Sequence, residues 1–279
     1  MKTVGFIDYF LNEWHANEYP GMIRAYNEKY GKDYVFTCAW AEIDIPGGMS
    51  TDEWCKNYGV ERCATIEELC QKCDYVFVLA PSNPEKHLEY AKAVFACGKS
   101  PYIDKTFAPD YATAQAIYEC AKANGVSFFS SSALRYADEL NAYMATANAI
   151  FTTGGGSNFD EYIIHQIEMA VKCLGVGAEQ VRYTKQAQQE WVDVAYANGK
   201  SAKMVFAPGL PFVAAVSDAN GTAYLPINSA FFDSLIADIF RFFETGEVSF
   251  AGEETLEVMK IREAAIAAKE CANEWRALK

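Results

Sequence analysis

The sequence predicts an α/β protein with two domains, an N-terminal one built on a doubly wound parallel sheet and a C-terminal α+β one with a mainly antiparallel sheet. In the first half, short apolar runs alternate with helical stretches, which is typical of strand–helix–strand units around a parallel sheet. In the second half, Asn-Gly pairs separate β-like runs, and such turns favour hairpins and antiparallel pairing. A chain of 279 residues, 51% of them hydrophobic, is long enough to bury two cores.

The elements of the first half follow one another in regular alternation. Pro20 suits the first turn of a helix, so the sequence predicts a loop from Asp8 to Tyr19 before the first helix. The predicted strands are Thr3–Ile7, Val35–Trp40, Asp74–Ala80, Pro101–Asp104 and Val126–Ser130. The predicted helices are Met22–Tyr30, Thr51–Tyr58, Ile66–Cys73, Glu85–Cys97 and Tyr111–Ala123. This order predicts a Rossmann-like domain over residues 1–130.

The second half has a different pattern and is predicted to form a domain over residues 131–279. Helices are expected at Tyr136–Ile150 and Phe159–Leu174, and the sequence from Val181 to Pro226 is β-like. A final helix is expected because apolar side chains recur every three or four residues. These side chains are Val258, Ile261, Ala265, Ala268, Ala272 and Trp275. An antiparallel sheet with helices on one face leaves the other face open, which predicts a homo-oligomer, a dimer or a tetramer.

Charge and composition restrict the partners. The chain has 24 basic and 37 acidic residues, a net charge of −13. Such an acidic surface repels phosphate backbones and anionic lipids, so neither nucleic acid nor a membrane is expected as a partner. No apolar run reaches the roughly 18–20 residues that span a bilayer. Nine cysteines without a secretory signal indicate reduced thiols and a cytoplasmic protein.

Lys105 follows directly on the fourth predicted strand, at the edge of the sheet where ligands bind in open α/β folds. A lysine that faces a cleft there can donate a hydrogen bond to a substrate hydroxyl or carbonyl. The same position also suits a solvated surface lysine, and position alone does not separate the two interpretations.

Glu161, His165 and Glu168 are spaced by four and three residues, which places them on one face of a helix. A carboxylate one turn from a histidine can fix the ring and its tautomer, as a general base requires. An ordinary polar pair on a solvated helix face has the same spacing, so both interpretations stay open.

Four cysteines are clustered in the sequence, at Cys55, Cys63, Cys70 and Cys73. The last two have the spacing of a metal-ligand pair, but the first two lack a matching short spacing and the stretch is predicted to be helical. The sequence therefore favours reduced, partly buried thiols over zinc, and no metal is expected.

Several segments, taken in order, resemble the Gfo/Idh/MocA family of NAD(P)-dependent enzymes, the glucose–fructose oxidoreductase and inositol dehydrogenase type. The strand Asp74–Ala80 with Pro81, Asn83 and His87 is similar to the family's strand and its TP-N-x-x-H stretch. The other matching segments are Ala96–Lys99 with Asp104-Lys105-Thr106, Ser131–Tyr136, Gly154–Gly175, Phe231–Gly246 and Glu257–Ala268. The resemblance covers nearly the whole chain.

The resemblance implies roles for individual residues. Lys105 takes the place of the catalytic lysine and His165 that of the proton-transfer histidine. Glu161 stands where the family usually has an aspartate four residues before this histidine, and Asp160 competes for that role. The implied substrate site consists of Lys105, Arg135, Asp160 and His165. The implied cofactor site consists of Asp8, Phe10, Trp40, Pro81, Asn83, His87, Asp104 and Lys105.

The family oxidises a secondary hydroxyl of a sugar or polyol and passes the hydride to NAD or NADP. This chain departs from the family in the dinucleotide loop, where the three glycines that let backbone amides approach a pyrophosphate fall on Asp8, Phe10 and Glu13. The ribose-binding acid falls on Trp40, with Glu42 two residues later. Two hypotheses follow: an NAD(P)-dependent oxidoreductase, or a non-catalytic relative that binds a sugar-like ligand or a protein partner without a dinucleotide.

Overall fold

The computed structural model describes residues 1–144 and 146–278, which form two compact units. The first unit contains Met1–Ser131 and Leu235–Ser249. The second contains Ser132–Ser234 and the described residues from Phe250 onward. Among the described residues, no helix has both the length and the apolar character needed to cross a bilayer.

The first unit is built on a five-stranded parallel sheet with the order β3-β2-β1-β4-β5. Its strands are β1 Lys2–Asp8, β2 Tyr34–Ala41, β3 Glu61–Arg62, β4 Tyr75–Val78 and β5 Tyr102–Ile103. The helices between and after them are α1 Trp14–Tyr30, α2 Thr51–Tyr58, α3 Ile66–Lys72, α4 His87–Ala96 and α5 Tyr111–Ala123. The predicted Rossmann-like sheet is confirmed, and its strand order reverses at β1 and β4, where ligands bind in such folds.

Side chains just before the helices explain where several of them begin. The Ser50 hydroxyl accepts a hydrogen bond from the amide of Glu53, and the Glu53 carboxylate accepts one from the amide of Ser50, so α2 starts with a capping box. Asp110 accepts from the amide of Thr113 at the start of α5. These local signals agree with the predicted bounds of α2 and α5, which the structure reproduces.

Helix α1 begins earlier than the sequence predicts. It starts at Trp14, so the predicted loop from Asp8 to Tyr19 is wrong and Pro20 lies inside the helix. The reason is Glu13, whose carboxylate accepts hydrogen bonds from the amides of His15 and Ala16 and caps the first turn. The predicted strand Val126–Ser130 is also reduced, to one bridge between Phe129 and Tyr102.

Helix α7, Phe231–Thr245, supplies most of the second segment of the first unit. Phe240 is fully buried and its ring stacks on that of Tyr34, with ring centroids 3.8 Å apart. Glu244 accepts hydrogen bonds from Lys2 at 2.7 Å and Lys32 at 3.0 Å. The sequence prediction placed this helix in the domain 131–279, because the helix is amphipathic and nothing in its own sequence identifies which core it joins.

The second unit is built on a seven-stranded sheet with the order β11-β10-β6-β9-β8-β7-β12. The strands are β6 Ala149–Gly154, β7 Ala178–Gln186, β8 Gln189–Tyr196, β9 Ser201–Phe206, β10 Val213–Asp218, β11 Gly221–Pro226 and β12 Trp275–Ala277. Among the described strands of this sheet, only β6 and β9 pair in parallel, so the predicted mainly antiparallel sheet is confirmed. The helices of this unit are α6 Phe159–Leu174 and α8 Gly252–Ala267.

Two predicted helices of this unit are wrong in extent. In place of one helix over Tyr136–Ile150 there are short 3-10 turns at Ala133–Tyr136 and Asp138–Tyr143, followed by β6. Strand β6 lies between β10 and β9, and this pairing on both sides overrides its local helical pattern. The final helix ends at Ala267, and Trp275 belongs to β12 instead of to the apolar stripe.

The two faces of the second sheet differ in character. Thr152 of β6 donates to Gln166 of α6 at 2.7 Å, so this helix covers the face that carries Thr152. The opposite face carries a row of residues paired across the strands, which we call the open face. It consists of Trp275, Arg182, Asp193, Lys203, Phe151, Ala215 and Tyr224.

Candidate active site

Asp8 ends β1 at the ligand-binding edge of the first sheet and is almost completely buried. Its Oδ1 accepts hydrogen bonds from the amides of Tyr9 at 2.7 Å and Ala80 at 3.0 Å. Its Oδ2 is buried without a hydrogen-bond partner. Burial, and then the neighbouring charge of Glu13, raise the pKa of Asp8 well above its usual value.

Glu13 uses both carboxylate oxygens on the first turn of α1. Oε2 accepts from the amide of His15 at 2.8 Å, and Oε1 accepts from the amide of Ala16. Burial raises the pKa of Glu13, and the charge of His15 with these two hydrogen bonds offsets only part of that rise. In dinucleotide-binding folds the amides of this turn are free to bind phosphate. Here a side chain of the same chain binds them.

Asp104 and Lys105 follow β5 and are both buried. The Asp104 carboxylate pairs with His15 Nδ1 and accepts hydrogen bonds from Tyr102 Oη at 3.0 Å and the Lys105 amide at 2.9 Å. Burial raises the pKa of Asp104, but the charge and hydrogen bond of His15 outweigh it and the net pKa lies below the usual value. The burial of Lys105, which is 7% exposed, excludes the interpretation as a solvated surface lysine. The peptide bond from Lys105 to Thr106 is cis.

His87 is fully buried and both ring nitrogens face backbone carbonyls. Nε2 lies 2.5 Å from Leu79 O, and Nδ1 lies 2.9 Å from Phe107 O. These contacts join the end of β4 to the loop after β5, so the geometry favours a structural role for His87 over the predicted cofactor contact. Burial lowers the pKa of the ring, and the contacts with the two carbonyls offset only part of that effect.

The other predicted cofactor residues lie around the same sheet edge. Trp40 packs edge-on against Tyr90 with ring centroids 5.4 Å apart, and Asn83 donates to Glu85 at 3.0 Å. Phe10 is half-buried beside Tyr9, and Pro81 is buried. Glu42, the alternative ribose acid, already accepts from Lys86 Nζ at 2.6 Å and from Tyr90 Oη at 2.6 Å.

His165 lies on α6 in the second unit, with Ser132 as the partner of its ring. Ser132 Oγ is 2.6 Å from His165 Nδ1 and also accepts from the Leu134 amide at 3.3 Å. The Ser132 amide donates to Glu168 Oε1 at 3.1 Å. The helix therefore presents His165 and Glu168 on one face, as their spacing predicts. Sequence reasoning missed Ser132, because a serine after a predicted strand carries no specific signal.

Glu161 and Asp160 are engaged at the start of α6. Glu161 Oε2 accepts from Asn158 Nδ2 at 3.1 Å, next to the cap where Asn158 accepts from the Glu161 amide. Asp160 forms an ion pair with Lys269, and its side chain is about half exposed. The hydrogen bond at His165 Nδ1 thus involves Ser132, whereas the sequence prediction gave the role of holding this ring to Glu161.

Arg135 lies in a buried ionic cluster instead of an open substrate pocket. Its guanidinium donates to Glu168 Oε2 at 3.1 Å and pairs with Glu254. The Phe250 ring centroid lies 3.8 Å from Arg135 Cζ. Burial lowers the pKa of Arg135, but the two carboxylates outweigh it and keep the residue charged. These contacts favour a structural role for Arg135 over the predicted substrate contact.

The glycines before α6 let the chain pass close to a neighbouring loop. A Cβ at Gly155 would lie 2.8 Å from Ala207 O and 2.9 Å from the amides of Gly209 and Leu210. No larger residue fits without displacing that backbone. The glycines therefore fix the path by which the chain enters the helix that carries His165.

The cysteines are free thiols. A hydrogen bond from Cys73, the largest influence, lowers the pKa of Cys38 to about 7 despite burial. Within residues 1–144 and 146–278, no three His, Cys, Asp or Glu side chains are arranged to hold a metal ion.

Residues 42–132 match the model of the oxidoreductase family with an NAD-binding Rossmann fold, the Gfo/Idh/MocA family. The resemblance predicted from the sequence is confirmed. The matched segment of the family model includes β3, β4 and β5, together with Asp104, Lys105 and Ser132. No curated protein matches the chain.

Several solved structures share the fold over almost the whole chain. Myo-inositol dehydrogenase from Lactobacillus casei, solved with NAD(H) and myo-inositol, has a TM-score of 0.80 at 11% identity, covering 100% of this chain and 97% of its own. UDP-N-acetylglucosamine 3-dehydrogenase from Acidithiobacillus ferrooxidans has a TM-score of 0.74 at 12% identity, covering 97% of each chain. A protein of gentamicin A biosynthesis, solved with NAD, has a TM-score of 0.78 at 14% identity, covering 100% of this chain and 97% of its own.

Proposed function

We propose that this chain is an oxidoreductase that removes hydrogen from a secondary hydroxyl of a sugar, a polyol or a related small molecule. The observation that carries the proposal is the 2.6 Å contact between Ser132 Oγ and His165 Nδ1. When one ring nitrogen of a histidine is hydrogen-bonded to the protein, the ring is held in a fixed orientation and the other nitrogen can act as a base. The family match and the polyol and sugar dehydrogenases among the similar structures support the reaction class.

The chemistry follows from the tautomer. If Nδ1–H donates to Ser132 Oγ, then His165 Nε2 carries a lone pair and can accept the proton of a substrate hydroxyl. A nicotinamide dinucleotide, which the family's description as NAD-binding supports, would supply the acceptor for the hydride of the carbon that bears the hydroxyl. Lys105 stays our candidate for a second catalytic residue because it is buried at the end of β5.

The turn between β1 and α1 does not fit the diphosphate of such a cofactor in its present arrangement. Glu13 occupies two amides of the first turn, and Asp8 adds a buried acid beside it. This observation favours a second candidate function, in which the chain binds a sugar-like ligand or a protein partner without using a dinucleotide.

Turnover by variants tests the first proposal. A panel of polyols and sugars, each with NAD and with NADP, is assayed for reduced cofactor. We expect His165→Ala and Lys105→Met each to lower turnover by about 100-fold or more, since each removes a proposed catalytic group. Lys122→Met, an exposed lysine on α5, is the matched control and keeps full activity.

The same purified protein is titrated with NADH and NADPH by fluorescence. Saturable binding of either form supports the oxidoreductase, and NAD or NADP is then identified by the tighter of the two. Absence of binding and turnover, together with saturable binding of a sugar or polyol, would replace the first function with the second.

We also propose that two copies of the chain associate through the open face. Phe151 and Tyr224 on this face are 38% and 71% exposed, although both are large and apolar. The charged side chains on the other side of Phe151 in this row are paired with one another, because Asp193 accepts from Arg182 at 3.0 Å and from Lys203 at 2.9 Å. A face with exposed aromatic side chains, whose charged side chains already pair with one another, suits pairing with an identical copy. Location in the cytoplasm stays a prediction from the nine cysteines.

A further inference from the structure

Glu13 makes the contacts at the start of α1 that a bound anion makes in other helices. Its two oxygens accept from consecutive amides of the first turn, those of His15 and Ala16. The turn thus has its positive end satisfied by a carboxylate that is covalently part of the chain.

The surroundings of Glu13 make a second anion unfavourable there. Asp8, with an unpartnered Oδ2, is buried close to Glu13, and the charge of Glu13 adds to burial in raising the pKa of Asp8. His15, the nearest basic residue in the sequence, has its Nδ1 bound to the Asp104 carboxylate. Three acids therefore lie around the strand ends where a diphosphate is bound in nucleotide-binding relatives of this fold.

We propose that Glu13 replaces a nucleotide diphosphate at the N-terminus of α1, and that it excludes phosphate groups from this turn. A ligand of the first unit is then bound without phosphate contacts to α1. The inference concerns the turn alone and does not depend on whether the chain is catalytic. The loss of the glycines is visible in the sequence alone. The structure adds that the Glu13 carboxylate accepts the hydrogen bonds of the amides that a diphosphate would otherwise bind.

The test is binding of ADP-ribose and inorganic pyrophosphate, measured by calorimetry on the full chain. Neither probe carries a nicotinamide, so the result is independent of turnover. We expect no saturable binding of pyrophosphate to the wild type at micromolar concentration. Glu13→Ala frees the two amides and is expected to bind ADP-ribose about tenfold or more tightly than the wild type. Glu18→Ala, which removes the same charge from an exposed position of α1, leaves binding unchanged.

Glu13→Gln is the second variant, for the case that Glu13→Ala does not fold. Its side-chain amide oxygen still caps the helix, whereas the negative charge is lost. Circular dichroism verifies that each variant is folded. Micromolar binding of ADP-ribose to the wild type that pyrophosphate competes away would overturn the inference, even if the chain proved to be an active dehydrogenase. Folded Glu13→Ala and Glu13→Gln variants that both bind no better than the wild type would overturn it as well.

Discussion

Ser132 contacts two residues of α6 at once, His165 through its hydroxyl at 2.6 Å and Glu168 through its amide at 3.1 Å. Glu168 is in turn paired with Arg135, and burial raises its pKa although Arg135 acts in the opposite direction. The orientation of the proposed base thus depends on a buried network instead of on a single neighbouring carboxylate. In such a network one deletion affects several hydrogen bonds.

Replacing Ser132 is expected to change the tautomer of His165. Ser132→Ala removes the acceptor for Nδ1–H, so the ring shifts toward the form with the proton on Nε2 and turnover falls about tenfold or more. The nitrogen chemical shifts of the imidazole report the tautomer directly, and only three histidines have to be assigned.

Ser132→Thr is the matched control, because it keeps a hydroxyl and is expected to retain the Nδ1–H form. A wild-type spectrum with the proton on Nε2 of His165 would contradict the proposed role of Ser132. This measurement needs no substrate, so it stands apart from the assays of turnover.

At the scale of elements, the start of α1 and the strand β6 mark what the sequence could and could not predict. The alternation of strands and helices gave the parallel sheet, because each apolar run is a local signal. The start of α1 was missed because glutamate is an uncommon cap and Pro20 suggested a later beginning. His165 could be chosen from helical spacing, whereas Ser132 and Glu13 act through contacts that only the folded chain creates.

Helix α7 lies far along the chain from the rest of the first unit, and a substitution in it measures how much this helix contributes to the stability of that unit. Phe240→Ala removes a fully buried ring that stacks on Tyr34 and Tyr26, and is expected to destabilise this unit by about 3–5 kcal/mol. Hydrogen exchange followed by mass spectrometry should show faster exchange in β1 and β2 than in the wild type.

Strands β8 and β9 of the second unit serve as the internal reference in the same experiment, and their exchange should change less. Phe232→Ala, at a half-buried position near the start of α7, is the matched control and should have the smaller effect. Equal acceleration in both units after Phe240→Ala would contradict the assignment of this ring to the first core.

At the scale of the whole molecule, the open face of the second sheet is the surface through which we expect copies of the chain to associate. Phe151→Glu combined with Tyr224→Arg places charges at two exposed aromatic positions of that face. We expect sedimentation to show a dimer or a tetramer for the wild type and a monomer for this variant, because charge at a packed interface must be desolvated.

Tyr30→Glu is the control for this experiment, since Tyr30 is also an exposed aromatic residue, at 49% exposure, but lies on α1. It should leave the sedimentation of the wild type unchanged. A monomeric wild type, or an oligomer that persists after the double substitution, would contradict the proposal that the open face is the interface.

The return of residues 235–249 to the first unit has a consequence for the order of folding during synthesis. The rings of Tyr26 and Tyr34 stack on Phe240, which is synthesised only after residues 132–234. Domains usually fold as they emerge, beginning with the one nearest the N-terminus. Here the first unit must wait with aromatic surface uncovered while the chain of the second unit is being made. The nascent protein is therefore most dependent on chaperones in the middle of its synthesis.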